Sequence, residues 1–198
     1  MQKAIELAHI VPISEVNGPG KRTVIWVQGC PKRCKECWNP EFLKFGSNWT
    51  LSPDELFSHV REVTCEFSAI EGLTFSGGEP FAQAEFLSKA ARLFRKENLT
   101  LMSYSGYSLD EIRKTGTPLT DFLNQLDILV DGEYVRELQS FKLWRSSSNQ
   151  QVHFLTDRYA AYKEKMDSNG QEIELTLSNA KMNLTGFPDL SFLKKLRI

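Results

Sequence analysis

The feature that most constrains this chain is an alternation of short apolar, β-branched runs with amphipathic stretches. Thr23–Gln28 (TVIWVQ) reads as a buried strand. Ser52-Pro53-Asp54-Glu55 offers a capping side chain, a proline at the first helical position and early acids, predicting a helix to about Glu66. Glu71–Phe75 predicts a second strand, Leu99–Tyr104 a third and Leu126–Val130 a fourth. Between them, Phe81–Lys96 carries Phe86, Leu87, Ala90, Leu93 and Phe94 on one helical face, and Leu109–Lys114 is a short helix. Strand-helix alternation predicts a mostly parallel sheet with helices outside. A closed eight-fold barrel typically needs ~250 residues. These 198 residues therefore predict one domain, an α/β open partial (βα) barrel with a core of about 16–151 and an extension of 152–198. In the extension, Asp157–Met166 reads as helical, ending in a turn at Ser168-Asn169-Gly170. Glu172–Leu177 and Lys181–Thr185 alternate around Ser178-Asn179 as a small C-terminal β-hairpin.

Each predicted strand ends in a loop suited to a site: the cysteines after the first, Ser76-Gly77-Gly78-Glu79-Pro80 after the second, Tyr104-Ser105-Gly106 after the third and Asp131-Gly132 after the fourth. Such convergence at the carboxyl ends of strands is where open α/β sheets place ligands. The formal net charge of −1 gives no broad footprint for nucleic acid. No stretch approaches the ~18 to 20 apolar residues of a membrane span, and the first residues do not read as a secretory signal. The expectation is a cytoplasmic protein whose thiols stay reduced.

Three of the four cysteines fall at Cys30, Cys34 and Cys37, spaced C-x3-C-x2-C. Three thiols within eight residues suggest a metal site. Structural zinc sites want four protein ligands, and no nearby histidine or cysteine completes a set. Cys65 stands apart and reads as a small buried residue. Three cysteines on a four-iron cubane leave one iron open, which implies chemistry rather than electron storage. In the second loop the glycines allow close approach of backbone to a ligand, and Glu79 supplies a carboxylate for an ammonium.

These two loops, in this order, resemble the signatures of the radical S-adenosylmethionine (SAM) superfamily. That resemblance implies an oxygen-sensitive [4Fe-4S] cluster on Cys30, Cys34 and Cys37, with SAM on the open iron and its amino group held by Gly-Gly-Glu-Pro. Reductive cleavage of SAM would yield a 5′-deoxyadenosyl radical that abstracts hydrogen. Asn17-Gly18-Pro19-Gly20-Lys21-Arg22 looks like the Gly-Pro-Gly-x-Arg lead-in of glycyl-radical-enzyme activases. Cys37-Trp38-Asn39 is similar to the Cys-aromatic-Asn ending of the anaerobic ribonucleotide reductase branch, which also lacks the aromatic that many relatives carry where this chain has Glu36. Met102–Tyr107, Leu129–Gly132 and Arg145–Gln151 resemble further segments of that branch, the last with Ser146 and Gln151 departing from its glycine and arginine. Asn183–Phe187 is a weaker likeness. The resemblance implies SAM contacts from Glu36, Trp38, Ser76, Gly77, Gly78, Glu79, Ser105, Gly106, Asp131 and Asn149. It also implies a glycyl radical enzyme as protein substrate, reached through the lateral opening of a short barrel, and a flavodoxin or ferredoxin-like electron donor drawn by Lys32, Arg33 and Lys35. Two alternatives stay open. One is a small-molecule radical SAM enzyme such as a 7-carboxy-7-deazaguanine synthase, which tends to carry a Trp-Cys-Asp ending. The other is a non-catalytic iron–sulfur or zinc module.

Overall fold

The computed structural model describes residues 4–67, 69–168, 170, 172–178 and 181–188. Its centre is a run of four parallel strands: β2 (Arg22–Val27), β4 (Gly72–Gly77), β5 (Thr100–Ser105) and β6 (Ile128–Asp131). Three antiparallel strands flank them: β1 (Ile5–Ser14) beside β2, β3 (Thr50–Leu51) beside β1, and β7 (Gln151–Phe154) beside β6. Among the described residues the sheet order is β3-β1-β2-β4-β5-β6-β7, so the sheet is open at both edges. It is a mixed α/β fold with a parallel-rich sheet. The two strands β8 (Ile173–Ser178) and β9 (Lys181–Gly186) form the expected C-terminal hairpin as a separate sheet. Two residues of the expected turns, Asn169 and Asn179, lie outside the described residues.

The crossovers follow the sequence closely. Helix α1 (Pro53–Thr64) opens on a reciprocal capping pair, in which Ser52 Oγ accepts from Glu55 N–H while Glu55 Oε2 accepts from Ser52 N–H. Helix α2 (Ala84–Lys96) begins later than Phe81, because the carboxylate of Glu79 accepts from Phe81 N–H and winds Pro80–Gln83 into a 3₁₀ turn first. Helix α3 (Leu109–Thr115) repeats the capping pair with Ser108 and Glu111, and α4 (Leu119–Leu123) follows it. One face of the sheet packs on these helices. Leu73, Phe75, Leu87, Phe94 and Phe122 are buried there, with the Phe75 and Phe122 rings 5.4 Å apart. Burying side chains such as Leu87 and Phe94 contributes about 1.5–3 kcal/mol each.

The other face has its own core. Met102, Ile128, Val130 and Trp144 are buried there, with Tyr104, Tyr159, Tyr162 and Phe187 packed against them. The segment expected as a helix over Asp157–Met166 is instead a 3₁₀ run, Asp157–Lys165, broken at Tyr159. The reason is tertiary: the Tyr159 hydroxyl is drawn to within 2.7 Å of Thr100 Oγ1 and the ring packs edge-on to Tyr162. No helix among the described residues is long and apolar enough to cross a membrane.

Arg22 ties the amino ends of three parallel strands together from inside. It is fully buried. Its guanidinium donates to Leu73 O at 2.6 Å, Thr74 Oγ1 at 2.9 Å, Thr100 Oγ1 at 3.0 Å, and Thr100 O and Pro19 O at 3.1 Å. The planar fork reaches all of these at once, which an ammonium cannot. Arg22→Ala leaves these acceptors unpaired in the interior. It is expected to lower stability by roughly 3 kcal/mol, read by chemical denaturation, with Arg22→Lys recovering only part of the loss.

Candidate active site

The carboxyl end of β2 runs straight into the cysteine loop. Gly29 N–H donates to Phe42 O at 2.8 Å and Cys30 N–H to Leu43 O at 3.1 Å, so the segment after the loop returns to pin its start. Arg33 and Glu36 take positive φ values of 50° and 58°, which coil the loop tightly. Beside it, the turn after β4 is held by two backbone bonds. Gly78 N–H donates to Val27 O at 2.8 Å and Glu79 N–H to Gly29 O at 2.9 Å. Gly77 has φ +101°, and a Cβ on Gly78 would meet Gly29 O at 2.3 Å and Phe42 O at 2.9 Å. Side chains are excluded here because two backbones touch.

The loop and turn open on a cavity of about 670 Å³. Cys30, Cys34, Cys37 and Trp38 line it from the loop, and Ser76, Gly77, Gly78 and Glu79 from the turn. Ser105 and Gly106 line it from the end of β5. Three other expected contacts do not line it. Glu36 pairs with Arg136 on a shallow side pocket behind Cys37 and Trp38. The Asp131 carboxylate accepts from Leu109 N–H at 2.5 Å and lies 3.0 Å from His153 Nε2. The Asn149 amide donates to Glu133 O at 2.8 Å. Sequence reasoning missed His9 and Trp26, which line the cavity from β1 and β2 with their rings stacked 5.8 Å apart. It also gave no site role to Tyr134, to Thr176 and Thr185 of the hairpin, or to Phe187 just after β9. The alternation Ile5-Glu6-Leu7-Ala8-His9 was the signal for the first of these. Cys65, expected buried, is exposed at the end of α1 and lies off the cavity.

Glu79 is the electrostatic centre of the turn. It is almost fully buried, accepting from Gly106 N–H at 2.7 Å, Phe81 N–H at 2.9 Å and the Ser105 hydroxyl at 3.0 Å. A carboxylate offers about four lone-pair positions, so one acceptor position remains. Burial raises its pKa to about 7 against the pull of these donors. On the loop, Lys32 is shared between Glu111 at 3.3 Å and Glu133 at 3.2 Å, with its ammonium 4.3 Å from the centre of the Tyr107 ring. Burial raises the Cys34 thiol to about 11, and Glu133 adds to the shift. Burial raises the Cys37 thiol too, against the Asn39 N–H that donates to its sulfur at 3.4 Å.

Soft thiols with a backbone N–H on sulfur suit iron–sulfur ligation. The thiols share one cavity without converging on a point. Among the described residues, no group of three or more His, Cys, Asp or Glu is gathered closely enough to hold one metal ion. A cubane distributes its ligands over separate irons. Around the same cavity, Trp38 Nε1, Tyr104 Oη and Gln139 Nε2 are buried without a hydrogen-bond partner. Buried donors are rarely left so unless a polar ligand completes them. The residues present thus fit a cluster with a polar cofactor beside it.

Residues 16–153 match the model of a family described as a 4Fe-4S single cluster domain. The anaerobic ribonucleoside-triphosphate reductase-activating protein of Enterobacteria phage T4 is 32% identical over 159 residues, covering 75% of this chain and 94% of that protein. The pyruvate formate-lyase-activating enzyme of Clostridium pasteurianum is 36% identical over 94 residues, covering 46% of this chain and 40% of that protein. Among solved structures, QueE from Escherichia coli aligns with a TM-score of 0.40 at 17% identity, over 54% of this chain and 53% of that one. The class is therefore that of iron–sulfur enzymes with a single cubane. More narrowly, the chain belongs to the radical SAM family of glycyl-radical-enzyme-activating proteins, whose cofactors are a [4Fe-4S] cluster and SAM.

The raised Glu79 pKa carries a consequence for stability. In the unfolded chain this carboxyl titrates near 4.5 and in the fold near 7. The native state therefore holds the proton more tightly, and its advantage is complete below pH 4.5 and lost as pH rises through 7. Glu79→Gln is expected to remove this decline between pH 4.5 and 7, measured as the denaturation midpoint of the cluster-free protein across that range.

Proposed function

We propose that this chain activates anaerobic ribonucleoside-triphosphate reductase in the reducing cytoplasm, with Cys30, Cys34 and Cys37 as the three protein ligands of its cluster. The observation that carries this is the composition of the cavity: three thiols on one rim, no fourth cysteine, and the Gly77-Gly78-Glu79 turn facing them. A [4Fe-4S] cluster held by Cys30, Cys34 and Cys37 would, once reduced, supply the electron for reductive cleavage of SAM, the chemistry needed to remove hydrogen from a glycine of the reductase.

The chain's own residues divide the remaining work. Glu79 has one open acceptor position for the ammonium of SAM, while Gly77 and Gly78 let the ligand approach backbone. Ser105 and Gly106 extend that polar strip. Trp38, with its ring 5.8 Å from that of Tyr134, covers the outer side of the loop and keeps water from the thiols. Arg33 and Lys35 are exposed on the same loop, a basic rim for an acidic flavodoxin or ferredoxin-like donor. In this reading the open sheet is a partial barrel whose missing strands leave the site accessible to a protein loop. The reductase is preferred over pyruvate formate-lyase because the reductase-activating relative is matched over 94% of its length and the other over 40%.

Anaerobic reconstitution with iron and sulfide is expected to give about four irons per chain, and dithionite plus SAM should then release 5′-deoxyadenosine. Cys34→Ala should abolish that release. Mixing the reconstituted enzyme with the reductase should produce a glycyl radical visible by electron paramagnetic resonance. Stoichiometric zinc without a reconstitutable cluster would rule the function out.

A further inference from the structure

Tyr104 stands on β5 one residue before Ser105 and lines the cavity. Its hydroxyl is fully enclosed and makes no hydrogen bond. Burying a hydroxyl unpaired is costly, and native structures complete nearly all such groups. Burial pushes the phenol far above its ordinary pKa, and the Arg22 guanidinium lowers it only in part. The group therefore keeps its proton and is available as a donor.

The ring is backed by Phe187, the residue that follows β9 of the hairpin. Tyr104 and Phe187 have centroids 6.5 Å apart, and Phe187 lines the same cavity. The hairpin is itself pinned, because Asn17 Nδ2 donates to Thr185 Oγ1 at 2.8 Å and Glu15 N–H to Glu174 Oε1 at 2.6 Å. Gln139 Nε2 is a second buried donor without a partner on this cavity. A segment presenting a glycine has no side chain at the reacting residue, so it can be held there only through its backbone. Backbone carbonyls are acceptors, and two unpaired donors wait for acceptors.

Resting on the function proposed above, we propose that Tyr104, backed by Phe187, is a substrate-binding residue whose hydroxyl donates to a backbone carbonyl of the glycine-bearing segment. It acts on the partner protein, not on SAM. No bond to the enzyme forms or breaks in this contact.

The test is Tyr104→Phe, which keeps the ring and its packing and removes only the hydroxyl. The readout is the coupling ratio, glycyl radicals formed on the reductase per 5′-deoxyadenosine released, against reductase concentration. The ratio is expected to fall about tenfold at subsaturating reductase and to recover at saturation. The thermal midpoint should stay level or rise, since an unpaired buried group has been removed. An unchanged ratio overturns the proposal. So does a parallel loss of 5′-deoxyadenosine and radical at constant ratio, which assigns the hydroxyl to SAM. Wild-type enzyme that cleaves no SAM refutes the function itself. Wild-type enzyme that cleaves SAM yet leaves the reductase without a radical refutes the partner, and this contact with it.

Discussion

The parallel pairing of β2 with β4 does not stop where the strands stop. Val27 lies opposite Gly77 in register, and the next donors along, Gly78 N–H and Glu79 N–H, bond to Val27 O and Gly29 O. The ladder thus continues into two loops that would otherwise be independent. Each such bond contributes only about 0.5–1.5 kcal/mol net. Their value is geometric: the first cysteine and the glycine turn are held as one piece. Only residues without side chains allow it, since any Cβ on Gly78 would collide with Gly29 O and Phe42 O.

A second constraint works at the rim. Lys32 links the cysteine loop to Glu111 on α3, to Glu133 after β6 and to the face of Tyr107. The carboxylate partners are half exposed, so each pair contributes ~0–1 kcal/mol. One ammonium shared by three loops still fixes their spacing. It leaves Glu133 3.8 Å from the Cys34 sulfur, which opposes a bare thiolate there.

Much of this was readable from the residues, for identifiable reasons. The long amphipathic face of α2, the capped starts of α1 and α3, and the apolar β-branched runs of β2, β4, β5 and β6 carry strong local signals, and each element is present, with α2 starting at Ala84 rather than Phe81. The hairpin alternates and pairs as expected. The antiparallel strands β1, β3 and β7 escaped notice, because β1 and β7 are not joined to the parallel run by a crossover helix that would announce them, and β3 spans only Thr50–Leu51. Asp157–Met166 shows why local periodicity fails: Tyr159 is pulled out of helical geometry by Thr100, a residue far away in sequence. At the site, the motif loops could be read because their chemistry is contiguous in the chain. Asp131 sits at a strand end as expected, yet its carboxylate is occupied by Leu109 and His153. The aromatic wall of His9, Trp26 and Phe187 exists only through tertiary contact between distant segments, and no spacing rule encodes it.

The family match ends at residue 153, and the hairpin lies beyond it. The cavity is therefore assembled from residues on both sides of that limit: loops between Cys30 and Gly106 inside the matched stretch, and Thr176, Thr185 and Phe187 outside it. A substitution at Thr176, Thr185 or Phe187 can therefore reshape one side of the cleft while every cysteine and the Gly77-Gly78-Glu79 turn keep their places.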